Sequence, residues 1–208
     1  VFSYSSNSYA VYGQDMVELT RGVKVMGGFR NDWLNAVYNQ PNSSTGLKNQ
    51  GLDFSAQSYR AGLIYEPTPN FGNFYLSWSD SFSPTADLYQ LSAGAQLPAE
   101  TSELTEIGYK GDINELGLSF RASLYHQVKN YERNTDLEST AQLRSVRRHT
   151  DGVEFELTGS LTEKWDVFSG IGLMDSRIDI PANPLATQMV GQTPSNATPY
   201  TFNLWTTY

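Results

Sequence analysis

From Leu116 to Tyr125 the chain alternates without interruption: Leu116, Leu118, Phe120, Ala122 and Leu124 occupy one parity, and Gly117, Ser119, Arg121, Ser123 and Tyr125 the other. An extended backbone sends successive side chains to opposite faces, so this stretch predicts a strand with one apolar and one wet face. The pattern recurs. Val153, Phe155 and Leu157 alternate with Gly152, Glu154, Glu156 and Thr158, while Trp165, Val167 and Ile171 share a parity in the next segment. Phe74, Leu76 and Trp78 oppose Tyr75, Ser77 and Ser79, and Phe202, Leu204, Thr206 and Tyr208 repeat the scheme at the end. Extended to the remaining segments, the pattern predicts about nine strands: Ser8 to Leu19, Gly22 to Leu34, Gln57 to Glu66, Asn73 to Phe82, Ser102 to Gly111, Leu116 to Lys129, Ser145 to Gly159, Trp165 to Arg177 and Pro199 to Tyr208.

The connections alternate in length. Leu19 to Gly22, Pro67 to Gly72, Asp112 to Glu115 and Ser160 to Lys164 are tight and built largely from turn-forming residues. Between them run long segments, Asn35 to Ala56, Pro84 to Thr101, Asn130 to Arg144 and Ile178 to Thr198. Structureless loops of that length are improbable inside a compact soluble domain. They are ordinary in an outer-membrane β-barrel, where one rim carries short periplasmic turns and the other long external loops. Strands of roughly ten to fourteen residues agree, since a tilted strand needs about nine to eleven to cross a bilayer and globular strands are usually shorter. Trp33, Tyr38, Tyr65, Phe82, Trp165 and Tyr208 fall near strand ends, where interfacial aromatic girdles run. The expected fold is therefore all-β: an antiparallel up-and-down transmembrane barrel portion, with long external loops and short periplasmic turns. An odd strand number implies a piece of a larger barrel, because bacterial single-chain barrels use even numbers.

Composition narrows the function classes. Aromatic residues make up 13% of the chain, with 13 Tyr, 10 Phe and 4 Trp, yet only 39% is hydrophobic and the mean hydropathy is −0.43. A polar lumen behind an apolar belt gives that mixture. No apolar run approaches the roughly eighteen residues of a spanning helix, so a helical membrane protein is excluded. A formal charge of −8 argues against nucleic-acid binding, which calls for a basic patch or stripe. With no Cys in the 208 residues, disulfides, thiolate metal sites and a cysteine nucleophile are excluded. There is neither an initiator Met nor a signal-peptide pattern, so any export signal is expected to lie outside this sequence.

Candidate chemistry is sparse. Glu154 and Glu156 share a face and formally make a carboxylate pair for acid–base work; a solvated lumen wall that also includes Arg121 explains them more simply. Arg144, Arg147, Arg148 and His149 gather beside a long loop, where they could draw in an anionic ligand or balance lumen carboxylates. Tyr38, Tyr89 and Tyr131 lie in or beside the long loops and offer ring and hydroxyl to a ligand, or simple rim packing. His126 and His149 are too few and scattered for a metal site. Gly170-Ile171-Gly172 lacks the third glycine of a dinucleotide loop, and no nucleophile elbow is present. No catalytic residue is assigned.

Four strings then stand out in order: YRAGLIYEPTPNFGNFYLSWSDSFSP (59–84), LPAETSELTEIGYKG (97–111), TDGVEFELTGSLTEKWDVFSGIGLMDSRI (150–178) and TPYTFNLWTTY (198–208). Together they resemble the β-barrel of TonB-dependent outer-membrane receptors, in particular the ferric-siderophore group. Pro67 and Pro69 fix φ in the turn and end pairing there, and Gly152-Val153-Glu154 is similar to the family's Gly-Val-Glu strand. The resemblance implies that residues 1–208 are one partial barrel domain, without the plug domain and the last strands that family members carry. It implies a ferric siderophore as transported ligand, held by external loops, with no cofactor bound by the protein itself. It implies a TonB energy-transducing complex acting through the plug, and a lipid and lipopolysaccharide outer membrane as the surroundings. The rivals are a passive porin-like channel, a barrel enzyme, which would need a tight His/Asp/Ser constellation, and a soluble all-β ligand-binding domain.

Overall fold

The computed structural model describes residues 2–41, 49–68, 70–84, 97–113, 116–133, 142–195 and 197–208. They form a single antiparallel sheet whose strands neighbour one another in chain order. The strands are β1 (Ser3–Thr20), β2 (Val23–Asn39), β3 (Asn49–Tyr65), β4 (Asn73–Ser83), β5 (Glu100–Ile113), β6 (Leu118–Arg133), β7 (Leu143–Thr162), β8 (Trp165–Pro181) and β9 (Tyr200–Thr207). Every predicted strand is present and the up-and-down order holds. β1 and β9 each keep one edge unpaired, so the sheet is open within these residues.

The largest boundary changes share one direction. β3 begins at Asn49, not Gln57, β1 at Ser3, not Ser8, and β8 runs on to Pro181. All these additions lie at the long-loop ends. Twenty residues in β7, at about 3.3 Å each, reach far beyond a hydrocarbon layer of about 30 Å even when tilted. The upper parts of the strands therefore stand clear of the bilayer, with water on both faces.

In the lower parts the two faces differ sharply. Phe74, Leu76, Trp78, Ile107, Leu124, Val153, Phe155, Ile171, Leu173, Phe202 and Leu204 form one contiguous exposed apolar surface. Register pairs Leu76 with Ile107, Ile107 with Leu124, Leu124 with Val153 and Val153 with Leu173, placing them in one row across five strands. Nearer the short turns an aromatic chain runs from Phe71 and Phe74 through Tyr109 and Phe120 to Phe155, with centroids 4.8 Å apart for Phe74 and Tyr109 and 5.5 Å for Tyr109 and Phe120. The Tyr109 hydroxyl donates to the Phe71 carbonyl. By contrast, the buried apolar side chains among the described residues are only Ala36, Tyr38, Leu118 and Ile178, with Pro181 and Pro194 in the long-loop end. A soluble domain of this size buries a substantial core; this sheet directs its apolar side chains outward, as a lipid-facing wall must.

The opposite, inner face carries the charge and is packed by tyrosines laid over glycines. Tyr125 is registered opposite Gly152, and a Cβ built on Gly152 would lie 2.3 Å from the Tyr125 ring; Tyr75 covers Gly108 in the same way at 2.4 Å. Both glycines are needed for this close approach. Gly152→Ala is expected to push the ring aside and lower stability by about 1–3 kcal/mol, readable as a shift in the unfolding midpoint of the detergent-solubilised protein. An unchanged midpoint would show that the ring moves freely.

Candidate functional site

The inner wall is organised by register. One row reads Asn73, Lys110, Arg121, Glu156 and Gly170; the next reads Tyr75, Gly108, Ser123, Glu154 and Gly172; the third reads Ser77, Glu106, Tyr125, Gly152 and Met174. Arg121 reaches across from β6 to both carboxylates of β7, at 3.1 Å from Glu156 and 3.7 Å from Glu154. The Tyr75 hydroxyl donates to Glu106 Oε1 at 2.5 Å, and the Lys110 ammonium lies 5.0 Å from the Tyr75 ring centroid. With Arg121, Glu154 and Glu156 each more than a third exposed, these pairs contribute little to stability. Their consequence is chemical: a belt of mixed, partly solvated charge around the interior.

At the long-loop rim a second set of groups is more deeply held. The Arg148 guanidinium lies 2.6 Å from Glu132 Oε2, with side-chain exposures of 18% and 12%. Arg148 also donates to Ser176 Oγ at 3.0 Å. Lys129 pairs with Glu100 at 2.7 Å. Arg133 donates to the carbonyls of Ser83 and Pro84, tying the end of β6 to the end of β4. Tyr131, just before Glu132, has φ of 55°, a left-handed conformation that non-glycine residues rarely adopt. That twist lies between Asn130, which follows the regular alternation, and Glu132, whose carboxylate meets Arg148 on the inner side.

The basic run divides between the two faces. Arg147 and His149 both reach Asp179, at 3.8 Å and 2.7 Å, and His149 stacks on His126 with centroids 6.0 Å apart. Arg148 points to the other side. Arg144 lies at the start of β7, half-buried. Tyr38 sits on the inner side at the end of β2, only 4% exposed, and donates to Gln40 Oε1 at 2.5 Å; Trp33, by contrast, is on the outer face at 46% exposure. Tyr89 lies outside the described residues. Among the described residues no group of three or more His, Cys, Asp or Glu could hold a metal ion.

The profile of the TonB dependent receptor-like β-barrel matches residues 1–208, the whole chain. The chain belongs to the TonB-dependent receptor β-barrel family. Among curated relatives, the probable TonB-dependent receptor BfrD of Bordetella pertussis is 30% identical over 159 residues, covering 73% of this chain and 21% of that protein. The probable TonB-dependent siderophore receptor PiuA of Acinetobacter baumannii is 27% identical over 186 residues, 85% of this chain and 25% of its own length. The crystal structure of PiuA superimposes with a TM-score of 0.81 at 24% identity, over 100% of this chain and 32% of that one. The ferric-catecholate import receptor Fiu from E. coli K12, in its closed form, gives 0.76 at 21%, over 99% and 32%. The chain thus spans a quarter or less of the length of these two curated relatives. The fold is the expected one: a portion of a large transmembrane barrel, with short periplasmic turns and long external loops.

Arg121, Glu154 and Glu156 share the inner face of the sheet, and Arg148 and Tyr38 lie on the same face toward the long-loop ends. Sequence reading had missed Glu132, Glu100, Lys129, Arg30 and Arg60. Glu132 and Glu100 become partners only through the cross-strand register, and nothing in their local strings marks them. Arg30 and Arg60 have the inward parity of their strands, a signal that counting alternate positions from Tyr59 and Phe29 would have caught.

Proposed function

We propose that this chain forms part of the wall of an outer-membrane receptor that takes up ferric siderophores in a TonB-dependent manner. The observation that carries the reading is the likeness to the siderophore receptor PiuA along 85% of the chain. The arrangement of charge is consistent with it. A cationic and aromatic upper wall, with Arg144, Arg148, Tyr38 and Tyr131, suits an anionic chelate arriving from outside; Tyr89 is a further candidate by its place in the sequence alone, and Arg147 is turned to the opposite face. The iron would arrive as cargo already chelated, so the wall needs no ligand set of its own. Lower down, Arg121, Glu154 and Glu156 would face the plug domain, which closes the lumen and is moved by the TonB complex at the inner membrane. The task of such a protein is binding and gating, with no bond made or broken.

The test is uptake of radiolabelled ferric siderophores by cells that express or lack the full-length protein, with the energy-transducing complex intact or deleted. Uptake that needs both agrees with the proposal. Uptake that needs the protein but persists without the complex would assign it to the passive, porin-like class. Loss of neither would remove siderophore transport altogether.

A further inference from the structure

On the face turned away from the lumen, β6, β7 and β8 carry a group of charged side chains directly above the apolar row. Two residues beyond Leu124, Val153 and Leu173, the register sets His126, Asp151 and Asp175 side by side, and the next row brings His149 opposite Arg177. His126 Nδ1 lies 2.7 Å from Asp151 Oδ1, and Arg177 Nε 2.8 Å from Asp175 Oδ1. These groups stay open to their surroundings: the Asp151 and Asp175 side chains are 60% and 62% exposed, those of Arg147 and Arg177 52% and 44%. Just below, Leu124, Val153, Leu173 and Pro199, with the two aspartates, line an outward groove of about 470 Å3. The chain itself completes this groove. β6 and β7 are paired along both edges, and the upper edge of β8 is closed by residues 191–199, with the Met174 amide donating to the Pro199 carbonyl, Ile178 to Gln192 and Gly191 to Ile178.

Polarity therefore changes in a fixed order with distance from the hydrocarbon: an apolar groove, then exposed carboxylates, then guanidinium groups, at about 7 Å per row. Asp151 and Asp175 stand directly opposite each other, an unfavourable pairing in a sheet unless donors meet it. A glycerophospholipid presents the reverse order, because its phosphate adjoins the acyl chains and its ammonium lies outside. An acylated, phosphorylated glucosamine lipid presents the matching one. Its amide N–H and hydroxyl donors lie where the acyl chains join the sugar, suited to carboxylates, and its phosphates lie beyond them, suited to guanidinium forks.

We propose that this outward patch of β6 to β8 is a binding site for lipopolysaccharide: one acyl chain lies in the groove, Asp151 and Asp175 accept from the amide and hydroxyl groups at the chain junction, and Arg147 and Arg177 take a phosphate. The site rests on the outer-membrane reading and on no particular cargo. The test titrates the delipidated full-length receptor in detergent with diphosphorylated lipid A, with its dephosphorylated form and with phosphatidylethanolamine, counting bound lipid by native mass spectrometry. Lipid A is expected to bind about tenfold more tightly than either of the others, the scale of a charged hydrogen bond. Arg147→Gln combined with Arg177→Gln is expected to abolish that preference. Leu173→Trp, which fills the groove and keeps every charge, is expected to weaken lipid A severalfold, and it decides the matter if the arginine variant does not fold. Equal affinity for the three lipids, or an undiminished preference in the arginine variant, overturns the site while leaving the sheet in the membrane. Binding of none also overturns the site; if that receptor stays in solution once detergent is removed, the outer-membrane reading falls with it.

Discussion

Arginine at position 124 is expected to destabilise the full-length receptor in lipid by about 2–4 kcal/mol, while arginine at position 127 changes stability by less than about 1 kcal/mol. The two positions lie three residues apart on β6 and so face opposite ways. Leu124 sits at the centre of the outward apolar row, between Ile107 and Val153, and is 54% exposed. In a membrane that exposure is contact with lipid tails, where a guanidinium loses its hydration and finds no partner. Gln127 is on the lumen side, where its amide donates to Ser102 Oγ at 3.1 Å; a cation there loses one hydrogen bond and remains near water. Unfolding by urea from lipid vesicles, compared for Leu124→Arg and Gln127→Arg, measures both. Similar effects at the two positions would mean that the faces have been misassigned.

Glu132→Gln is expected to cost about 3 kcal/mol, the scale for removing one partner of a largely buried pair. The change keeps volume but leaves the Arg148 charge with only neutral partners, Ser176 and Thr150, at 3.0 and 3.5 Å. The effect should reach function too. Arg148 belongs to the proposed external ligand wall, so release of its guanidinium should alter ligand affinity along with stability. The double variant Glu132→Gln, Arg148→Met should recover much of the lost stability, because no uncompensated charge remains, yet should not recover affinity. Chemical unfolding and siderophore binding measured on the same preparations separate the two effects. Equal stability of the single and double variants would show that Arg148 is hydrated and not held by Glu132.

The part of the fold legible in the sequence is the part immersed in lipid. Between Leu118 and Leu124, or Val153 and Leu157, one face meets hydrocarbon and the other water, so side-chain polarity records the pleat directly. Beyond the bilayer both faces meet water and the record fades. Ser3–Ser8 and Asn49–Ala56 are strands in the structure, but their serines, asparagines and glycines read as loop, because pairing with a neighbouring strand rather than residue preference holds them extended. The same distinction governs the site. Arg121, Glu154 and Glu156 were legible as an inward set, and the structure brings them together through the β6–β7 register. The run of arginines from Arg144 was legible as charge but not as two surfaces; strand alternation along β7 assigns Arg147 and Arg148 to different sides.

Alternate residues along the lower strands face opposite ways, one set to lipid and the other to the inner side. Residues 1–208 contain no cysteine; in a full-length receptor freed of any cysteine elsewhere, single cysteines can be placed from Leu118 to Val128 on β6, spin-labelled, and compared in lipid for accessibility to oxygen and to a water-soluble nickel chelate. Accessibility to oxygen should peak at 120, 122 and 124 and accessibility to nickel at 121, 123 and 125, with the contrast fading toward 128, where the strand leaves the bilayer. Uniform accessibility to the nickel chelate along the whole strand would contradict the account and place this sheet in water.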